Sequence, residues 1–300
     1  MASATRATIG GGCAAVADGQ PDRRPVVLVL AGRPRTLTRV VDDAPLVRAR
    51  RTGPVVTLTL DSPANRNALS ARLLVELTSG LAEAASDPDV RAVVVTGSGT
   101  TFCSGADLRE RLQPPAGEPP ATLAEVLSAV VSAPKPVIAR VNGHVRAGGM
   151  GIVAACDLAV APVSATFAFS EVRVGVAPAV IAVPALRRMQ RRAWERWALT
   201  GDVFGAADAV AAGLLSATVP DEAGLDAWVR SAVTSVLRSA PEAVAATKGL
   251  PDLVGRPWEA ALGAAEELSD ALFGSAAARE GMAAFLEKRK PSWVAMWEEP

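Results

Sequence analysis

The stretch Val137-Ile138-Ala139-Arg140-Val141-Asn142-Gly143-His144-Val145-Arg146-Ala147-Gly148-Gly149-Met150-Gly151 decides how this chain is read. Val137–Val141 is a short apolar run closed by an Asn-Gly turn, the mark of a buried strand. The glycines that follow open a helix expected to run to about Asp157. Glycine removes the Cβ that keeps a ligand away from the backbone. The first turn of a helix also leaves N–H groups without internal acceptors and carries the positive end of its dipole. A strand, a glycine turn and a helix start together make a seat for an anionic oxygen. Taken alone, Gly148-Gly149 reads first as close helix–strand packing. The stretch lacks the G-x-x-x-x-G-K-[ST] phosphate loop and is not a convincing G-x-G-x-x-G dinucleotide fingerprint.

Working outward, the same alternation recurs. Val55–Leu60, Ala92–Thr96 and Leu158–Ala161 read as further buried strands. Ser70 is placed to N-cap a helix with Leu73, Leu74, Leu77 and Leu81 on one face. Strands alternating with helices argue for an α/β core covered on both faces. After about residue 185 the pattern is helical, with candidates at Pro184–Thr200, Ala206–Ala212, Glu222–Arg238, Pro241–Leu250, Trp258–Leu272 and Ala277–Arg289. Residues 1–44, rich in Ala, Gly and Arg, read as a disordered or loosely ordered extension, with a short strand expected at Val26–Leu30; a transit-like segment or an upstream start are the alternatives, and Asp18, Asp22, Asp42 and Asp43 argue against the former. The core is expected over 45–195 and a helical region over 196–300.

Composition excludes several function classes. Of 300 residues, 31 are Lys or Arg and 31 are Asp or Glu, so no net field steers the chain to nucleic acid or an anionic membrane. Half the residues are hydrophobic, enough for a sizeable core. No apolar run reaches the ~18 residues a membrane span requires. Cys13, Cys103 and Cys156 are too few and scattered for a zinc site or a disulfide framework, and a reducing cytoplasm is the simplest compartment. Cys103 has no evident histidine partner, since His144 is the one histidine and follows the Asn142-Gly143 turn, where a loop or packing role is expected.

Three loops carry candidate chemistry: Phe102–Leu108, Asn142–Gly151 and Phe167–Pro178. The first, through Gly105-Ala106, can supply a second N–H to meet the one at the helix start. Two converging donors make an oxyanion hole, each worth ~3 kcal/mol of barrier.

Taken in order, these segments resemble the crotonase (enoyl-CoA hydratase/isomerase) superfamily over about residues 46–293. The marks are Asn65-Arg66-Asn67-Ala68-Leu69, Phe102–Leu108, Lys135-Pro136 leading to Asn142-Gly143 and Ala147-Gly148-Gly149, Cys156-Asp157, and Glu171 through Gly175 to Pro178. Thr200-Gly201, Ala212-Gly213-Leu214 and Glu280–Arg289 follow. The resemblance implies a crotonase-like spiral of β-β-α units with a helical C-terminal trimerisation region, assembled as a trimer or hexamer. It implies an acyl-CoA thioester as substrate, with coenzyme A part of that substrate and no separate cofactor or metal. By position, Ala106 and Gly148 are the implied oxyanion donors and Glu171 the implied proton-transfer group. Ala68, Asp107, Leu108 and Arg109 are implied to line the substrate, and Arg66 and Lys288 to meet CoA phosphates.

The chain departs from the family at one place. Family hydratases carry two glutamates; here the first position is Gly151 and the second is Glu171, 171 − 151 = 20 residues apart. Adding water needs a base for water and an acid for carbon, and a missing partner costs ~10²–10⁴ in rate. A single glutamate resembles the Δ3,Δ2-enoyl-CoA isomerase arrangement, so hydration and isomerisation both stay open. Gly151 is also read as room for a bulky acyl group, with Phe167, Phe169, Val180 and the proline-rich 110–122 loop shaping the pocket. Glu171 is read either as the catalytic base, with a pKa raised by apolar surroundings, or as an ion-pair partner of Arg173 or Arg146. Two rival readings remain: a non-catalytic acyl-CoA-binding protein, motivated by Gly151, and an RNA-binding one, motivated by Arg187-Arg188-Met189-Gln190-Arg191-Arg192. A solvated helix face or subunit contact is the simpler account of that arginine run.

Overall fold

The computed structural model describes residues 44–113 and 121–294. The expected Val26–Leu30 strand and the prolines at 114, 115, 119 and 120 lie outside them. The described chain opens with a hairpin, β1 (Val47–Thr52) and β2 (Val55–Leu60), turned at Gly53 with φ 55°. Helix α1 (Ala71–Ser86) follows, with the Ser70 hydroxyl accepting from Leu73 N–H and Leu73, Leu74, Leu77 and Leu81 buried as expected.

Three units then repeat one plan: a long-sheet strand, a short-sheet strand, then helix. The first is β3 (Ala92–Gly97), β4 (Thr101–Cys103), α2 (Leu108–Leu112) and α3 (Leu123–Ser132). The Thr122/Glu125 pair closes a reciprocal capping box at the start of α3. The second unit is β5 (Val137–Arg140), β6 (His144–Arg146) and α4 (Gly148–Ala155). The third is β7 (Leu158–Pro162), β8 (Thr166–Ala168), a 3₁₀ turn at Ser170–Val174, α5 (Ala179–Arg188) and α6 (Arg191–Thr200). Then come β9 (Phe204–Gly205), α7 (Ala206–Ala211), β10 (Ala217–Val219), α8 (Glu222–Leu237), α9 (Pro241–Gly249), α10 (Trp258–Phe273) and α11 (Ala276–Leu286).

Among the described residues the strands form two sheets, in the orders β1-β2-β3-β5-β7-β10 and β4-β6-β8-β9. Within the first, every pairing after the hairpin is parallel. Side-chain alternation sends successive strand residues to opposite faces. Val93 and Val95 join the larger core with Leu73, Leu77 and Leu81. Val94, Ile138 and Val160 join a second core against Leu225, Val229, Val233 and Leu237, which repeat every four residues along α8. Burying four such side chains contributes ~1.5–3 kcal/mol each.

One expected helix is two. The reading of Pro184–Thr200 as continuous is corrected, because Met189 is extended and Gln190 N–H donates to Ala212 O at 3.0 Å instead of to the preceding turn. Sequence pattern misses the mostly exposed β1 and the strands of two or three residues, including β9 and β10 inside the stretch read as helical. β4, β6 and β8 have three residues each, and each lies at or near the start of one of the three candidate loops.

Candidate active site

The first loop is built on the segment before α1. Asn67 is fully buried with φ 54°, a left-handed conformation that asparagine tolerates. Its side-chain amide donates to the carbonyls of Ser98 (3.0 Å), Thr101 (2.8 Å) and Phe102 (3.2 Å), and its Oδ1 accepts from Ser62 N–H at 2.8 Å. This side chain therefore joins the 62–70 segment to the β3–β4 connection. Leu69 and Ala106 then pair as a parallel bridge, through Leu69 N–H to Gly105 O (2.8 Å) and Asp107 N–H to Leu69 O (3.3 Å). Those two bonds leave the Ala106 N–H out of the ladder.

The second loop meets the first at Gly105. A Cβ there would sit 2.7 Å from the Ala147 Cβ and 3.5 Å from the Gly148 nitrogen, and Gly105 has φ 94°. Glycine is needed both for that φ and for the contact. Gly148 is the first residue of α4, so its N–H has no acceptor within the helix. Ala147 caps that helix with φ 46° and ψ −118°, a conformation L-residues rarely adopt and one that costs ~1–3 kcal/mol. Ala147 N–H is held by Ala168 O at 3.1 Å. The backbones at 105–106 and 147–148 thus come from different strand ends and lie against each other.

The third loop supplies Glu171, in the 3₁₀ turn after β8. Its Oε2 is buried and, among the described residues, has no hydrogen-bond partner. Burial raises its carboxyl above the ordinary value, opposed by a hydrogen bond from its own backbone N–H. The two arginines considered as ion-pair partners are engaged elsewhere. Arg173 pairs with Asp202 at 2.6 Å and donates to Thr200 O. Arg146 donates to Val145 O and to both oxygens of Thr166.

The remaining positions divide. Ala68 is buried beside the Leu69–Ala106 bridge. Asp107 caps α2, accepting from Arg109 N–H at 2.9 Å and Glu110 N–H at 3.4 Å. Leu108 and Arg109, on that helix, are exposed, as is Arg66. Lys288 is exposed in a left-handed turn after α11 (φ 54°), and among the described residues no hydrogen bond joins it to the glycine loops. Gly151 is buried on α4, and a Cβ there would lie 2.5 Å from Ile181 Cγ2 and 3.4 Å from Leu127 Cδ1. The space that an enlarged acyl pocket would use at this position is therefore filled by Ile181, a residue the sequence alone did not single out.

Other expectations shift in the same way. Phe167 and Phe169 are fully buried in an aromatic cluster with Trp194, Trp197 and Phe204, with Trp197 and Phe204 stacked at 3.9 Å. Val180 is exposed. Burial pushes the Cys103 thiol up to about 12, leaving it protonated at neutral pH and no nucleophile. In the arginine run, Arg187 pairs with Asp252, Arg191 with Glu195, and Arg188 donates to the carbonyls of Ala154 and Cys156. Among the described residues no His, Cys, Asp and Glu cluster suits a metal ion, and no helix is long and apolar enough to cross a membrane.

Comparison with known proteins agrees with this architecture. The sequence pattern of the family described as enoyl-CoA hydratase/isomerase matches residues 50–296. The chain is 32% identical over 256 residues to enoyl-CoA hydratase domain-containing protein 3, mitochondrial, of Homo sapiens, covering 82% of each chain. It is similar to the crystal structure of an enoyl-CoA hydratase of Mycobacterium smegmatis (TM-score 0.77, 36% identity, 84% of this chain and 100% of that one). It is also similar to an enoyl-CoA hydratase/isomerase of Marinobacter aquaeolei (TM-score 0.78, 29% identity, 83% and 99%). The chain belongs to the enoyl-CoA hydratase/isomerase family.

Proposed function

We propose that this protein binds a 3-enoyl-CoA thioester and moves its double bond into conjugation, with Glu171 carrying the proton. The observation that carries the reading is the buried Glu171 Oε2, which has no hydrogen-bond partner among the described residues. A carboxylate oxygen kept dry and without a donor is free to accept a proton from carbon, and its raised pKa suits a proton shuttle. The carboxylate removes a proton from C2, the electrons pass through the thioester to its oxygen, and the same carboxyl returns the proton at C4. The N–H groups of Ala106 and Gly148 hold the oxygen while it carries charge. Donors fixed by a sheet bridge and a helix start need little reorganisation as that charge develops. Coenzyme A enters as part of the substrate, with Ala68, Asp107, Leu108, Arg109, Arg66 and Lys288 along its path.

Isomerisation is preferred over hydration because position 151, where a second carboxylate would stand, is glycine packed on Ile181. The reading includes a homotrimer or hexamer, supported by the apolar side chains that Trp258, Leu262, Phe273, Phe285 and Leu286 leave exposed on α10 and α11. A reducing, cytoplasmic setting suits the free buried thiols of Cys103 and Cys156. Turnover of 3-enoyl-CoA and 2-enoyl-CoA by wild type and Glu171→Gln tests the assignment. The variant should lose at least ~10²-fold in kcat on the 3-enoyl ester. Undiminished turnover would remove Glu171 from the mechanism.

A further inference from the structure

Gly148 and Gly151 stand three residues apart on α4, so they share one face of the helix. The Cβ each one lacks points at an apolar wall. At 148 that wall is Leu69 Cδ1 (2.7 Å) and Leu123 Cδ2 (3.2 Å). At 151 it is Ile181 Cγ2 (2.5 Å), Ile181 Cβ (3.0 Å) and Leu127 Cδ1 (3.4 Å). Leu123 and Leu127 are themselves one turn apart on α3, and Ile181 is buried in the first turn of α5. The wall therefore runs one helical turn inward from the N–H that begins α4. The nearest atoms at both positions are all carbon.

We infer that Ile181 is the specificity-determining residue of this site: it occupies the place a side chain at 151 would take and closes it to water, so that the site relocates a proton instead of adding water across the double bond. The inference rests on the acyl-CoA reading above. Hydration needs a water molecule held by a base while an acid protonates carbon, which is two polar groups. Glu171 supplies one, and the position one turn beyond Gly148 supplies none. The obstruction is stiff as well as apolar. A β-branched side chain in a helix has essentially one χ1 rotamer. The nearest contacting atom, Ile181 Cγ2, is held by that rotamer and is removed by shortening to alanine. A carboxylate cannot be added at 151 until Ile181 is shortened, so the identities of the two residues are coupled.

The test uses four full-length proteins: wild type, Gly151→Glu, Ile181→Ala and the double variant. Each is assayed for isomerisation of a 3-enoyl-CoA and for hydration of a 2-enoyl-CoA. The double variant should hydrate at least about tenfold faster than wild type and than Gly151→Glu, part of the ~10²–10⁴ that a general acid–base group supplies. Equal hydration by Gly151→Glu and the double variant overturns the role of Ile181, as does a double variant that isomerises but gains no hydration. Ile181→Ala alone keeps the inference testable if glutamate at 151 prevents folding. Its kcat/KM for an acyl chain branched near C3, relative to a linear one, should rise about tenfold, the scale of a pocket gaining room for a methylene or more. An unchanged ratio overturns the inference. Wild type that turns over neither thioester overturns the acyl-CoA reading itself, a result distinct from each of these.

Discussion

The main-chain N–H of Leu69 donates to the carbonyl of Gly105 at 2.8 Å, and Leu69 O accepts from Asp107 N–H in return. Ala106 is thereby held from both sides by a residue 37 positions earlier (106 − 69 = 37). The position of its N–H depends on where the 66–69 segment lies. That in turn depends on Asn67, whose side chain bonds four backbone groups.

Replacing Asn67 by alanine leaves those four buried or half-buried backbone groups without their partner. Each unsatisfied buried group costs ~1–3 kcal/mol. Asn67→Ala should lower stability by at least ~3 kcal/mol, read from the urea midpoint, and should lower kcat more than it raises KM. A loss under ~1 kcal/mol with unaltered kcat would show that the segment is held by other contacts.

Glu171 gives a pH prediction with two readouts. As the proposed base it must be ionised, and burial places its pKa above the ordinary carboxylate value. Turnover by the proposed isomerisation should therefore fall as pH drops through that raised value, and Glu171→Gln should abolish the limb. For stability the sign is opposite to a salt-bridged acid. Between the unfolded and folded pKa values the native state binds more protons, so stability falls as pH rises through that window. Glu171→Gln should be more stable than wild type at neutral pH, measured by thermal melting. A less stable variant would mean that the carboxylate has a partner that favours its charged form.

Lys248 on α9 places its ammonium 2.9 Å from Asp157 Oδ2, 2.9 Å from Val130 O and 3.1 Å from Lys135 O, while Asp157 also accepts from Val137 N–H. Both side chains are largely buried. Removing one partner leaves a charge uncompensated, at a cost of ~3–5 kcal/mol. Lys248→Met should destabilise on that scale, and Lys248→Met with Asp157→Asn should recover part of the loss. No recovery in denaturant melts would assign the stabilisation to the carbonyl contacts alone.

What the sequence makes legible follows from periodicity. Val55–Leu60, Ala92–Gly97 and α1 show clear apolar runs or stripes because they bury whole faces. The short strands are illegible for the opposite reason. His144-Val145-Arg146 has one buried side chain in three and is a strand only because β4 and β8 pair with it. The glycines at 105, 148 and 151 stand out in the sequence as candidate site positions. Which atoms face them does not, because Ala147, Ile181 and Leu127 approach from segments far along the chain. Phe167 and Phe169 look like pocket residues from their place beside Glu171. Strand alternation and the tryptophans of α6 turn them into the core instead.

In the proposed site two backbone N–H groups, at 106 and 148, grip a thioester carbonyl. The most direct measurement of that grip is the infrared difference spectrum of a ¹³C=O-labelled acyl-CoA bound to the protein. Two hydrogen bonds to one oxygen weaken the C=O bond, so the bound carbonyl band should move to lower frequency than in water. A bound thioester whose band stays at, or above, its frequency in water would contradict the account.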